Sequence, residues 1–120
     1  MALGSQDFKI TSGDDLDLKI TILDVHAKAA VLSAPTAIWV ACTDEDMSDA
    51  SVALRKESAA DEISLIVEGG FWKAIVHLLA ADTENETPGR YYHALRVFDD
   101  GASCTTTSGI MILDGGNPLN

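Results

Sequence analysis

One segment near the start of the chain alternates strictly between apolar and polar positions. Its apolar residues all point to the same side of an extended chain: Leu16, Leu18, Ile20 and Ile22. A helix would scatter these side chains around its circumference, so the period of two predicts a strand with one buried face. A loose segment then follows from Asp24 to about Pro35.

Further segments have the composition of strands and are separated by turn residues. They cover residues 36–43, 51–57, 62–68, 71–78, 91–98 and 105–113. The first is apolar on both faces and is typical of a central strand. In the second, Val52 and Leu54 are expected to point inward. Gly69–Gly70 and Asp99–Gly101 predict hairpin turns, and Ala80–Thr87 predicts one helical turn or a loop.

Short strands at a spacing of roughly ten residues are typical of a sandwich. We therefore predict an all-β fold, an immunoglobulin-like antiparallel β-sandwich of about seven to eight strands. The 120 residues fit a single domain over 1–120, with flexible ends at about residues 1–6 and 115–120. Trp39 and Trp72 are expected to fill the core between the two sheets.

Charge and cysteine usage narrow the function classes. The chain has 19 acidic and 8 basic residues, a formal net charge of -11, which argues against a nucleic-acid partner. We find no apolar run long enough for a membrane span and no signal-peptide pattern, so synthesis in a cytoplasm is expected. Cys42 and Cys104 are interpreted as small core or half-buried residues, with a disulfide between them as the alternative.

The order of several short motifs resembles a phage tail and baseplate domain. A Gly-Asp pair stands before the alternating strand at Gly13–Asp14, and the remaining elements follow in the second half of the chain. They are Leu79, Asp82–Thr83, Pro88–Gly89, Tyr91–Tyr92, the turn at Asp99–Gly101, and Gly109 before Ile110 in a Thr-rich strand. Over roughly residues 7–114 the chain resembles the N-terminal domain of the baseplate upper protein family.

The resemblance implies a non-enzymatic virion structural protein, made in the bacterial host cytoplasm and located in the virion. Its partners would be other phage structural proteins, and a homo-oligomer is expected in a symmetric particle. A tail, baseplate or neck module comes first. A capsid decoration (cement) protein that stabilises the head is one alternative, and a carbohydrate- or receptor-binding β-sandwich is another. No cofactor and no small-molecule substrate are implied.

Residues that could carry chemistry form no recognisable motif. His26, His77 and His93 offer too few ligands for a metal site and are interpreted as surface or half-buried residues. The loop at Asp44–Asp49 resembles a loose calcium loop but lacks the EF-hand glycine and its last glutamate, so a solvated acidic loop is the main interpretation. No serine is expected to have a histidine within a useful distance.

The remaining polar candidates are given structural interpretations. Asp15 and Asp17 are expected on the outer, solvated side of their strand, where carboxylates keep their usual acidity. Asn85–Thr87 matches a glycosylation sequon that has no meaning in a bacterial cell. Tyr91 and Tyr92 point to opposite faces of one strand, so one of them is expected to be exposed as a possible interface anchor. Beside Asp99, they are also the one candidate platform for a carbohydrate.

Overall fold

The structure, a computed structural model, describes residues 7–23, 32–99 and 102–115. Each strand predicted from the sequence is present, and a short first strand precedes them. The elements are β1 (Phe8–Thr11), β2 (Leu16–Thr21), β3 (Pro35–Cys42), β4 (Val52–Glu57), β5 (Ile63–Glu68), β6 (Phe71–Leu78), α1 (Ala80–Thr83), β7 (Gly89–Asp99) and β8 (Ala102–Asp114). Residues 24–31 of the predicted loose segment, the turn after Asp99 and most of both predicted flexible ends fall outside the described residues.

Two sheets pack face to face as a sandwich. The five-stranded sheet has the order β1-β8-β7-β3-β4, and the three-stranded sheet has the order β2-β6-β5. The predicted all-β sandwich is therefore confirmed, with eight strands in the described residues. One pairing departs from the antiparallel prediction, because β1 runs parallel to β8. The first strand therefore forms one edge of the five-stranded sheet, beside the last strand.

The core is built from the alternating positions of both sheets. Leu18, Ile20 and Ile22 are buried, and Leu16 packs against the core at its edge, as the alternation of β2 predicts. Burial of each such side chain stabilises the fold by about 1.5–3 kcal/mol. Across the sandwich, the facing side chains come mainly from strands β3, β7 and β8: Ala37, Trp39, Ala41, Tyr91, Leu95, Val97, Met111 and Leu113.

Trp39 forms the centre of this core and is fully buried. Its indole Nε1 donates a 3.0 Å hydrogen bond to Nδ1 of the buried His93. Phe8 packs its ring edge-on against the same imidazole, with the ring centroids 5.0 Å apart. Trp72 is half-buried and packs against the core, so the prediction for the two tryptophans is confirmed fully for Trp39 and in part for Trp72.

The start of β7 has the geometry of a tyrosine corner. The Tyr91 hydroxyl donates a hydrogen bond to the carbonyl of Thr87, four residues upstream. In immunoglobulin domains a cysteine of the inter-sheet disulfide stands two residues after the corner tyrosine. In this chain that position is held by His93, which binds Trp39 of β3. This hydrogen bond joins β3 and β7 within one sheet, whereas the disulfide of antibody domains joins the two sheets.

The turn before β2 is hydrogen-bonded to α1. The backbone N–H of Gly13 donates to Oγ1 of the buried Thr83, and the hydroxyl of Ser12 donates to the Thr83 carbonyl. The carboxylate of Asp15 accepts the N–H of Ala80 at 2.7 Å. These bonds join the turn before β2 to α1, so two motifs about 70 residues apart in the sequence form one joint.

Strand β4 contains a bulge that changes the face of one predicted core residue. Ala41 pairs with Leu54, but the next residue of β3, Cys42, pairs with Val52, so Ala53 is the extra residue. Leu54 points inward as predicted. The prediction for Val52 is wrong, because the bulge turns this side chain to the outer face of the sheet.

Lys56 is buried on the inner face of β4, a position that the apolar pattern of that segment does not mark. It is 5% exposed. Its Nζ lies 2.8 Å from Oδ2 of Asp82 and 3.8 Å from Oε2 of Glu62. The Asp82 carboxylate also accepts the N–H of Leu79 at 2.7 Å, so this ion pair fastens α1 to the edge of the five-stranded sheet.

Cys42 is a buried free thiol. Burial is the main cause that raises its pKa above the ordinary value. The interpretation of Cys42 as a small buried side chain is confirmed, and the alternative disulfide to Cys104 is wrong. The register explains why: Cys42 pairs with Tyr92 of β7, whereas Cys104 lies beside Val97–Phe98 near the other end of that strand.

Candidate functional site

The outer face of the five-stranded sheet is unusually apolar for a surface open to solvent. An exposed face of an antiparallel sheet normally alternates to polar residues. Here most of the outward positions of the three central strands are apolar and half-buried. They are Ile38 and Val40 of β3, Tyr92, Ala94 and Phe98 of β7, and Ile110 and Ile112 of β8. We call this surface the apolar outer face.

A depression of about 310 Å³ lies on the apolar outer face. Apolar side chains from β3, β4, β7 and the loop before β4 line most of it, and Asp49, Arg55 and Arg96 also contribute. Met47 adopts a left-handed backbone conformation with φ 52°, which brings a non-glycine residue into a region that L-residues normally avoid. The acidic loop therefore contributes one apolar side chain to this surface.

All three arginines of the chain project from the same face. Arg55 lies on β4, while Arg90 and Arg96 lie on β7 at outward register positions. Arg55 Nε lies 3.5 Å from Oε2 of Glu57. Within the described part of the chain, neither Arg90 nor Arg96 has a carboxylate within 4.0 Å. An acidic protein thus presents uncompensated guanidinium groups beside apolar side chains on one sheet.

The two tyrosines named from the sequence lie on opposite faces of β7, as predicted. Tyr91 is 4% exposed and points into the core, so it cannot anchor a surface contact. Burial is the main cause that raises the pKa of its phenol. Tyr92 is half-buried and belongs to the apolar outer face. Of the two tyrosines, only Tyr92 therefore stays a candidate anchor for an interface.

The carbohydrate platform named from the sequence is not assembled. Tyr92 pairs with Cys42 at one end of β3, whereas Asp99 pairs with Pro35 at the other end. Seven residues of extended chain separate the two side chains, a distance of about 23 Å. The Asp99 carboxylate instead accepts the backbone N–H groups of Ser33 and Ala34.

A second polar cluster crosses the outer face of the three-stranded sheet. Ser64 Oγ lies 2.8 Å from His77 Nε2, and His77 Nδ1 lies 2.9 Å from Asp17 Oδ1. The three residues stand on β5, β6 and β2, which are adjacent strands. The prediction that no serine has a histidine within reach is wrong, because register brings together residues that are 13 and 60 positions apart in the sequence.

The acidic loop and the other histidines named from the sequence are the remaining polar candidates. The loop at Asp44–Asp49 is almost wholly exposed, and Asp46 accepts the N–H of Ser48. Within residues 7–23, 32–99 and 102–115, no group of three or more His, Cys, Asp or Glu side chains is placed to hold a metal ion. His93 is buried in the core, and His26 lies outside the described residues.

The fold is the feature by which this chain can be classified. The chain folds as an all-β sandwich in which Trp39 of β3 and His93 of β7 join two adjacent strands. No protein-family model matches the chain, and no curated protein matches it either. No helix among the described residues is long and apolar enough to cross a membrane.

Proposed function

We propose that this chain is a non-enzymatic structural module of a bacteriophage particle, in the tail, baseplate or neck, and that it docks to other particle proteins. The apolar outer face is the observation that carries the docking role. Large exposed apolar patches on soluble proteins mark interaction sites. Support for a phage particle comes from the sequence resemblance, two of whose motifs are joined by the hydrogen bond from Gly13 to Thr83.

The composition of this face suits a protein partner. Protein interfaces are enriched in aromatic residues and arginine, and their strongest contributions come from these residues in desolvated surroundings. Tyr92, Phe98 and Arg96 supply both types along the single strand β7. A partner that offers carboxylates would pair with the arginines, and the same arginines would repel a basic surface.

The proposed role requires no cofactor, nucleic acid, membrane or small-molecule substrate. The protein would be made in the bacterial host cytoplasm and would reside in the virion, where symmetric assembly favours a homo-oligomer. Decoration of the capsid surface would use the same kind of face and is the alternative position. Receptor or carbohydrate binding is less well supported, because Tyr92 and Asp99 lie at opposite ends of β7.

The test co-expresses the chain with the product of each gene that neighbours its own and measures complex formation by size-exclusion chromatography with light scattering. We expect a complex with at least one product, and we expect Ile38→Asp to weaken it at least tenfold. Ile66→Asp is the matched control, since it places the same charge on a half-buried outward position of the opposite sheet. Complexes that tolerate Ile38→Asp, or the absence of any complex, would contradict the proposal.

A further inference from the structure

The Ser64–His77–Asp17 row on the three-stranded sheet has the connectivity of an activated serine. Asp17 and His77 are directly opposite each other in the β2–β6 pairing. Ser64 is displaced by two residues along the β5–β6 ladder, where it faces Ile75. Because all three side chains point outward from adjacent strands, the sheet itself holds them in one line.

The chemistry of the three groups fixes where the protons lie. An ionised carboxylate can only accept hydrogen bonds, so Nδ1 of His77 must carry the proton that it shares with Asp17. In a neutral imidazole the other nitrogen, Nε2, is then an acceptor, and it lies 2.8 Å from Ser64 Oγ. His77 is therefore in the tautomer that can take the serine proton, with Asp17 as a positioning residue.

The sheet also offers a donor for a developing oxyanion. The N–H of His77 donates to the carbonyl of Glu62, and hydrogen bonding alternates along an antiparallel ladder. The amide of Leu65, the residue after Ser64, consequently points away from β6. Since β5 is an edge strand of its sheet, this N–H faces the open side and can donate to an oxygen on an acyl group at Ser64.

We propose that Ser64 is a nucleophile that is acylated by small activated esters. Ser64 Oγ attacks the ester carbonyl carbon, and its proton passes to Nε2 of His77. The bond from that carbon to the leaving oxygen then breaks, and His77 returns the proton to the departing alcohol. The products are acyl-Ser64 and the free alcohol.

The neighbours of Ser64 indicate the kind of acyl group. Ile75 lies opposite Ser64, and Ile66 follows on the same face of β5. Both side chains are half-buried and apolar, so a short apolar acyl chain has a surface to contact. The site lies on the sheet opposite the apolar outer face, and the proposal does not depend on the docking role.

The test uses a fluorophosphonate probe on the whole protein, with peptide mass spectrometry to locate the label. The serine oxygen bonds to phosphorus and the P–F bond breaks, releasing fluoride and a proton. We expect the label at Ser64 at a rate at least tenfold above that at the exposed Ser48, which is an internal control in each digest. Ser64→Ala removes the labelled peptide.

Substitutions of His77 and Asp17 distinguish a Ser64 that is activated by its neighbours from one that is only exposed to the probe. His77→Gln should lower the rate of Ser64 labelling by about a hundredfold, the low end of what a general base contributes. Asp17→Asn should lower it by about tenfold, less than in buried triads, because the Asp17 side chain is 69% exposed. Asp17→Glu should recover part of that loss, which a purely structural role of Asp17 would not require.

Labelling of Ser64 within twofold of Ser48 in the unsubstituted protein would overturn the proposal and leave the row as a hydrogen-bonded tie between strands. Equal rates for the native protein and a folded His77→Gln variant would do the same. The comparison within the unsubstituted protein stands even if a variant fails to fold. Acylation by p-nitrophenyl acetate, with one p-nitrophenol released per acetyl-Ser64 formed and followed in the same variants, checks the acyl step with a true ester.

Discussion

The ion pair between Lys56 and Asp82 predicts a strong asymmetry between the two partners. Lys56 is 5% exposed, and its ammonium group lies 2.8 Å from the Asp82 carboxylate. Removal of one partner of a buried pair costs about 3–5 kcal/mol, because the other charge stays buried without compensation. Asp82→Asn leaves the ammonium in the core, whereas Lys56→Met removes the buried charge and keeps most of the length of the side chain.

The surroundings set the expected magnitudes. After Asp82→Asn, the Glu62 carboxylate at 3.8 Å remains as a weak partner for Lys56, so we expect a loss of about 2–3 kcal/mol in the free energy of unfolding, at or below the low end of the usual range. After Lys56→Met, the Asp82 carboxylate still accepts the N–H of Leu79 and reaches solvent, since its side chain is 22% exposed. We therefore expect a loss of about 1 kcal/mol or less.

Urea unfolding of the four members of the double-mutant cycle measures both effects and their coupling. The coupling energy should exceed about 1 kcal/mol, because each single substitution removes the same contact. Asp15→Asn is the matched control. Its carboxylate also accepts a backbone N–H at 2.7 Å, but no cation lies beside it among the described residues, so its cost should stay below about 1 kcal/mol. A Lys56→Met variant that loses more than Asp82→Asn would refute the reasoning.

Three further substitutions or reactions test the core. Trp39→Phe should cost about 2–4 kcal/mol in urea unfolding, since it opens a cavity and removes the donor to His93; a loss below 1 kcal/mol would contradict the central position of Trp39. Tyr91→Phe should cost about 1 kcal/mol, because the Thr87 carbonyl loses its hydroxyl donor; an unchanged midpoint would count against the tyrosine corner. In a Cys104→Ser variant, Cys42 should react with a thiol reagent at pH 8 at least tenfold more slowly in the native protein than in the unfolded protein. Burial raises the pKa of the Cys42 thiol and blocks access to it, so equal rates would contradict its burial. Since the raised pKa favours the neutral thiol in the folded state, Cys42 should also make the protein slightly less stable as the pH rises past the ordinary thiol range.

The strands were predictable where one face is buried and the other is solvated. Alternation then marks both the strand and its inward side, as Leu18 and Ile20 show. The four residues of β1 were missed because so short a segment has too few positions for a period to be visible. The apolar outer face could not be predicted from the pattern alone. Residues such as Ile38 and Val40 fit a central strand that is buried on both sides, and only the order of the strands shows that one side is open.

The polar clusters depend on contacts between strands, which local patterns do not contain. His77 and Asp17 meet because β2 and β6 pair in one particular register, and a shift by one residue would turn either side chain inward. His93 lies at an inward position of β7, so the bond with Trp39 follows only after β3 and β7 are paired. The alternation of side chains along a strand predicts that Tyr91 and Tyr92 point to opposite faces. The pairing of β7 with its neighbours is needed to decide which of the two is buried.

The bulge at Ala53 gives a last prediction, because it makes the effect of a deletion depend on position. Removal of Ala53 leaves Leu54 opposite Ala41 and Val52 opposite Cys42, so each side chain keeps its face and the ladder becomes regular. We expect a loss of no more than about 1 kcal/mol, chiefly the packing of one methyl group.

Removal of Arg55 instead shifts the N-terminal part of β4 by one residue against β3 and turns Leu54 outward. The lost burial of Leu54 alone costs about 1.5–3 kcal/mol, and Lys56 would stand next to a disrupted ladder. Urea unfolding of the two deletion variants compares the effects in chains of equal length. If the deletion of Arg55 proved as mild as the deletion of Ala53, the extra residue of β4 would have to lie elsewhere, and the outward position of Val52 on the apolar outer face would be wrong.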